Sequence, residues 1–178
     1  YTKVRMPYAF NLMVVLKLAT SAVTFSLLLK RKTKNSLLVI FPAVLYAFSG
    51  YAMMYYQIAQ WLDVFYMFPL VLIGLELITE GKSNVLYIVS LFLCVLFQFY
   101  LSYPVIIFVC LYAAVWAVYN RADAEKFTVS FIIGSVIAAL LSAFVLIPCF
   151  LQYTQSMRTS GIIDSLTRGG FIPAKETT

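Results

Sequence analysis

Acidic side chains are scarce in this chain, seven against thirteen Lys and Arg in 178 residues. Two of the seven fall in or beside one apolar run, QWLDVFYMFPLVLIGLE (60–76). Gln60, Trp61 and Asp63 open the run, and Glu76 lies further inside it. A carboxylate at Asp63 has two readings. As a helix-start group it favours the positive end of the helix dipole, with Trp61 beside it as an interfacial anchor. As a working group it binds a metal, a sugar hydroxyl or an acceptor hydroxyl. Glu76 follows by 13 positions, about 20 Å along a helix. At about 100° per residue the two carboxylates do not share a face, so they form no acid–base pair on one helix. Glu76 reads as a group that snorkels or pairs locally near the helix end.

Lys17 is the least expected residue, near the middle of the apolar stretch YAFNLMVVLKLATSAVTFSLLLK (8–30). A cation at mid-depth in a bilayer costs about 2.5–3.5 kcal/mol on insertion scales, so it faces a bundle interior or a watery cavity. Two roles are open to it: pairing with a carboxylate, of which Glu76 is nearest in estimated depth, or drawing in an anionic headgroup. Tyr100 and Tyr103 in QFYLSYP (98–104) stand with YAMMYY (51–56) among many belt aromatics, and such a rim also suits stacking on sugars. Arg158 and Arg168 would hold phosphate if they were not simply solvated. Histidine is absent, which removes histidine bases, histidine metal ligands and a Ser-His-Asp triad from this segment. Cys94, Cys110 and Cys149 have no metal-motif spacing, and no metal site is expected.

The elements that position these groups are apolar helices. Hydrophobic residues make up 63% of the chain and charged residues 11%, against about 25% charged in an ordinary soluble domain; the mean hydropathy is +0.92. Apolar stretches near 20 residues recur, the length needed to cross about 30 Å of hydrocarbon. The pattern predicts an all-α, polytopic transmembrane bundle of about six spans: 8–30, 36–57, 62–79, 85–99, 104–119 and 127–151. The run 85–120 would exceed 50 Å, roughly, as one helix, and QFYLSYP with Pro104 supplies its break. Six spans put Lys30, Arg31, Lys32, Lys34, Lys82, Arg121 and Lys126 on one side and leave the short opposite loops free of Lys and Arg. That arrangement satisfies the positive-inside rule, with both termini and the Trp61-Leu62-Asp63 tripeptide outside. The bundle is expected over 1–151 and an extracytoplasmic segment over 152–178. The start at Tyr1 and the ending GGFIPAKETT read as an internal fragment. The basic balance belongs to the loops, and no fold-supported basic patch indicates nucleic acid.

The chain then resembles a known family. Trp61-Leu62-Asp63, Pro69-Leu70, Gly74 with Glu76, the turn EGKSN, and Gln98-Phe99-Tyr100 followed by Tyr103 are similar to the pattern of the YfhO family of bacterial membrane proteins. Lys17 in LKLATSAVTF and Tyr46, Ser49, Gly50 and Tyr51 in LYAFSGY fit it too. Gln98 stands where the family usually has Asn, and QIAQ replaces an Asn-containing stretch. The family resembles the multispan GT-C glycosyltransferases. The resemblance implies a multi-pass protein of the bacterial cell membrane that moves a sugar from an undecaprenyl-phosphate-linked (polyprenyl-phosphate) donor to an extracytoplasmic cell-envelope polymer such as lipoteichoic acid. Membrane lipid, donor and polymer acceptor are the implied partners. Asp63, Trp61, Lys17, Gln60, Tyr100 and Tyr103 are then candidates for substrate binding. The GT-C pattern places the catalytic base in an outer loop after the first helix, upstream of Tyr1, so no residue here is assigned as catalytic and no cofactor is identified. A transporter or flippase, with Lys17 and the carboxylates lining its path, and a non-catalytic membrane scaffold are the alternatives.

Overall fold

A computed structural model describes residues 2–121 and 124–155. The described chain is helical: α1 (Thr2–Lys30), α2 (Ser36–Ala47), α3 (Gly50–Tyr55), α4 (Leu62–Thr79), α5 (Val85–Phe97), α6 (Phe99–Tyr119) and α7 (Ala124–Gln155), with a 3-10 turn at Ala59–Trp61 before α4. Among the described residues five stretches are long and apolar enough to cross a membrane, and α5 is a shorter apolar helix. Two compact units divide the chain, Tyr1–Ser142 and Ala143–Thr178. In the second, the described part is the end of α7. The segment expected outside, 152–178, falls beyond the described residues except for its first four, which continue that helix.

Solvent-facing and buried chemistry are inverted relative to a soluble domain. Leu12, Leu37, Phe41, Ile107, Leu111 and Leu140 are exposed. Ser21, Thr24, Ser90, Ser102 and Ser142 are buried. Each of these hydroxyls donates to a carbonyl of its own helix, at 2.6–3.2 Å. Small polar residues let helices approach closely where lipid supplies no hydrophobic drive between them, and their hydroxyls must find partners internally.

Contacts between elements set the directions. Lys17 meets Asp63 and Arg31 meets Glu76, so α1 and α4 run in parallel. Leu101 lines a cleft with Tyr51 and Val64 near the start of α4, while Trp116 packs on Phe127, close to the Asn84–Ser130 bond at the α4–α5 turn, so α6 runs the same way as α4. Asn84 donates to the Ser130 carbonyl and the Tyr87 hydroxyl bonds the Ser135 hydroxyl, so α5 and the first part of α7 share a direction. The α4–α5 turn follows a Schellman pattern. Lys82 N–H donates to the Leu77 carbonyl, Gly81 N–H to that of Ile78, and Gly81 has φ 70°, a conformation that glycine adopts without strain. This alternation gathers Lys30, Lys34, Lys82, Arg121 and Lys126 at one end of the bundle, and Trp61 at the other.

Two expectations need correction. The break in the 85–120 run is a single residue, Gln98 (φ −149°, ψ 81°), and α6 starts at Phe99. Pro104 sits within the second turn of α6 and does not make the break; in membrane helices neighbouring groups satisfy the backbone a proline frees. The second span has crossing length as expected, Ser36–Tyr55, and is built from α2 and α3, parted at Phe48–Ser49. The first and last helices also outrun their expected bounds of 8–30 and 127–151.

α4 is the central element, with Leu62, Val71 and Leu75 at 1% exposure or less. Its tightest contact is with α5. A Cβ added at Gly74 would lie 2.5 Å from the Tyr87 Cα, closer than two carbons can stand. Gly74→Ala is therefore expected to push α5 away and lower the thermal midpoint of the purified protein, a loss of about 1–3 kcal/mol; an unchanged midpoint would refute the close approach. A second test addresses orientation. In a cysteine-free background, Gln60→Cys is expected to react with an impermeant thiol reagent from outside the cell. Lys82→Cys should react only once the membrane is opened, and outside labelling at that position would reverse the orientation.

Candidate functional site

The 3-10 turn and the first turn of α4 place Asp63 against α1. Asp63 is 9% exposed. Its Oδ1 lies 2.6 Å from Lys17 Nζ and accepts the Tyr66 hydroxyl at 3.0 Å. Lys17 Nζ also donates to the Ala59 carbonyl at 3.0 Å. One ammonium thus binds the first turn of α4 and the turn that leads into it. Tyr66 comes from the same face one turn on, the i,i+3 spacing that makes helix side chains neighbours. That spacing is the signal by which the sequence could have assigned Tyr66 to the site.

The expected pairing of Lys17 with Glu76 is overturned: Lys17 pairs with Asp63. Position within an apolar stretch does not fix depth in the bundle, because α1 projects past the start of α4. Lys17 lies 15 residues after the start of α1 at Thr2, so about 22 Å of helix precedes it. It is level with the start of α4, not with Glu76 near its far end. Glu76 is satisfied at the other end of the same seam, by Arg31 at 3.2 Å and Lys32 at 2.6 Å. Glu80 joins Arg31 and Lys82 there, and hydrogen bonds from Lys82 and Arg31 hold the Glu80 carboxyl below its ordinary range.

Aromatic rings surround the Asp63 end. Tyr55 packs on Trp61 with centroids 4.8 Å apart, and on Tyr51 at 5.0 Å. The Tyr51 hydroxyl donates to the Trp61 carbonyl at 3.3 Å, and the Tyr46 hydroxyl to that of Phe65 at 2.7 Å. Phe25, Tyr46 and Phe65 form a continuous stack, at 4.3 and 4.2 Å and within 10° of parallel. That stack reaches from α1 to the wall of a cleft of about 410 Å³ between α2–α3, α4 and α6. Val64, Phe68, Leu101, Val105 and Phe108 complete most of its lining. With the Tyr46 and Tyr51 hydroxyls already bonded to backbone, the cleft offers apolar and ring surface.

The candidate residues separate into two groups. Lys17, Asp63 and Trp61 come together around the turn. Gln60 is in the same turn and exposed. Tyr100 (71% exposed) and Tyr103 (48%) are on α6 and face outward, and Tyr103 packs on Phe99. None of the six lines the cleft. Among the described residues no group of three or more acidic, His or Cys side chains could hold a metal ion. Cys94 is buried and Cys110 exposed. Arg158 and Arg168 lie outside the described residues.

An inverted polarity pattern, crossing-length helices and an interior ion pair define a polytopic helical membrane protein. The family model described as bacterial membrane protein YfhO matches residues 2–174, and the chain belongs to that family. No curated protein and no solved structure matches it.

The Lys17–Asp63 pair is mostly buried, with side chains 18% and 12% exposed. Removing one partner leaves the other charge without compensation. Lys17→Met and Asp63→Asn are each expected to destabilise the protein by on the order of 3 kcal/mol. The charge-reversed double variant, Lys17→Asp with Asp63→Lys, should recover most of that loss. Neutral single variants in thermal unfolding would show that the pair does not hold the seam.

Proposed function

We propose that this chain forms part of a membrane glycosyltransferase that transfers a sugar from an undecaprenyl-phosphate-linked donor to an extracytoplasmic polymer such as lipoteichoic acid. The observation that carries the reading is the Lys17–Asp63–Tyr66 cluster beside Trp61, at the bundle end away from the basic turns. A polyprenyl donor keeps its chain in lipid and its phosphate at the interface, so its sugar must be met at that height. An indole covers the apolar face of a sugar, and a carboxylate accepts from its hydroxyls. Lys17 supplies positive charge where a phosphate leaving group needs it. In this reading Asp63 positions the donor and is not the base, because its Oδ1 is already engaged by an ammonium and a phenol.

The broken helices at Phe48–Ser49 and Gln98 favour a second reading, a transporter, since interrupted spans line transport paths. Sugar transfer separates the two. In the intact protein, in cells or in vesicles, Asp63→Asn is expected to lower transfer of sugar to the polymer at least tenfold. The charge-reversed variant is the sharper test: it keeps an ion pair across the seam but moves the carboxylate to α1. A donor-binding Asp63 requires low transfer in that variant despite restored thermal stability. Normal transfer there would make the pair a clamp alone and remove Asp63 from the site.

A further inference from the structure

We propose that four cations at the basic end, Lys30, Lys34, Arg121 and Lys126, form a binding surface for the phosphate headgroups of anionic phospholipids. The seven cations at this end divide into two sets by what they touch. Arg31, Lys32 and Lys82 are bound to Glu76 and Glu80. Lys30, Lys34, Arg121 and Lys126 are exposed, and none has a carboxylate within ion-pair distance among the described residues. The sequence places four acids in this region, Glu76, Glu80, Asp123 and Glu125, against the seven cations. The excess positive charge is therefore fixed at one end of the bundle.

The neighbours of these cations select lipid as the partner. Lys34 precedes Leu37 and Leu38, which are 76% and 59% exposed, and Arg121 follows Val118 and Tyr119, 66% and 83% exposed. Apolar side chains that face outward within one turn of a cation mark where hydrocarbon gives way to headgroups. A phosphate at that height meets the cation while its acyl chains cover the leucines. Arginine can grip a phosphate with two parallel N–H bonds, and lysine meets it as a mobile point charge. Arg31 and Lys32 are excluded from this role, because releasing them would open the α1–α4 seam, and Lys82 is held by Glu80 within the α4–α5 turn.

The test uses the full chain purified in detergent. Phosphatidylglycerol and phosphatidylcholine are titrated in separately, with bound lipid read by native mass spectrometry and stability by the thermal midpoint. The wild type is expected to bind phosphatidylglycerol in preference. A variant carrying K30Q, K34Q, R121Q and K126Q should lose at least tenfold in phosphatidylglycerol binding, since each near-surface cation contributes about fivefold. Its phosphatidylcholine binding and lipid-free midpoint should stay unchanged. Arg31→Gln should do the reverse, lowering the lipid-free midpoint and keeping the preference. Equal binding of the two lipids by the wild type, or full phosphatidylglycerol binding by the fourfold variant, would overturn the proposal. So would a lowered lipid-free midpoint in that variant, which would show that these cations hold the fold. If the fourfold variant kept its lipid binding but lost an acidic protein partner, the surface would belong to that partner instead.

Discussion

Two parallel neighbouring helices cannot be joined by a tight turn, so α1 and α4 meet through side chains alone. Their seam is closed by charge at both ends. Lys17 binds Asp63 at one end, and Arg31 and Lys32 bind Glu76 at the other. The two pairs have offsets of 46 and 45 in sequence and stand about 20 Å apart along the helices. Two well-separated ion pairs admit one register. A slide of α1 by one turn would part Lys17 from Asp63 and both Arg31 and Lys32 from Glu76, and the mostly buried Lys17–Asp63 pair would pay most for it. Buried ion pairs add little net stability over apolar packing, and their best-attested use is to specify registry. Between the pairs, buried Ser21 and Thr24 keep the α1 surface narrow.

The rest of the bundle is arranged on α4. On its α5 side, Gly74 removes the side chain where the Tyr87 backbone comes close. Phe68 meets Phe108 of α6, and Phe65 stacks on Tyr46 of α2. The cleft opens where α2–α3 and α6 flank α4 without closing over it. Its wall includes Phe65, whose ring stack continues through Tyr46 to Phe25 of α1. One aromatic layer thus joins α1 to the wall of the apolar cleft, and no candidate site residue lines that cleft.

This geometry bears on how interior charges in membrane proteins are read. A lysine and a carboxylate in apolar surroundings draw attention as functional groups, and here each has a sufficient structural partner. The same pair nevertheless sits beside an indole at a bundle end, where an interfacial substrate would arrive. Structural and functional roles overlap at Asp63, and moving the charge while keeping the pair separates them better than deleting it.

Much of the fold was legible from hydropathy. Continuous apolar stretches of crossing length, basic turns and the limit on a single helix's length define an all-α multispan chain, and α4 starts and stops where the residues indicate, at Leu62 and Thr79. The motifs around Trp61-Leu62-Asp63, Gly74 and Glu76 sufficed for the family. Other features were not legible, because they depend on where one helix stands beside another. Hydropathy measures how apolar a stretch is and carries no information on how far α1 slides along α4, so Lys17 could not be matched with Asp63 in advance. Pro104 suggested a break that the chain makes at Gln98, since proline lowers helix stability locally while packing decides whether the helix continues. Tyr66 became part of the site only through the carboxylate that α1 holds in place. Sequence determined the spans and their charges; the tertiary structure decided which charges meet, because ion pairing needs a few ångströms of precision and that precision comes from packing.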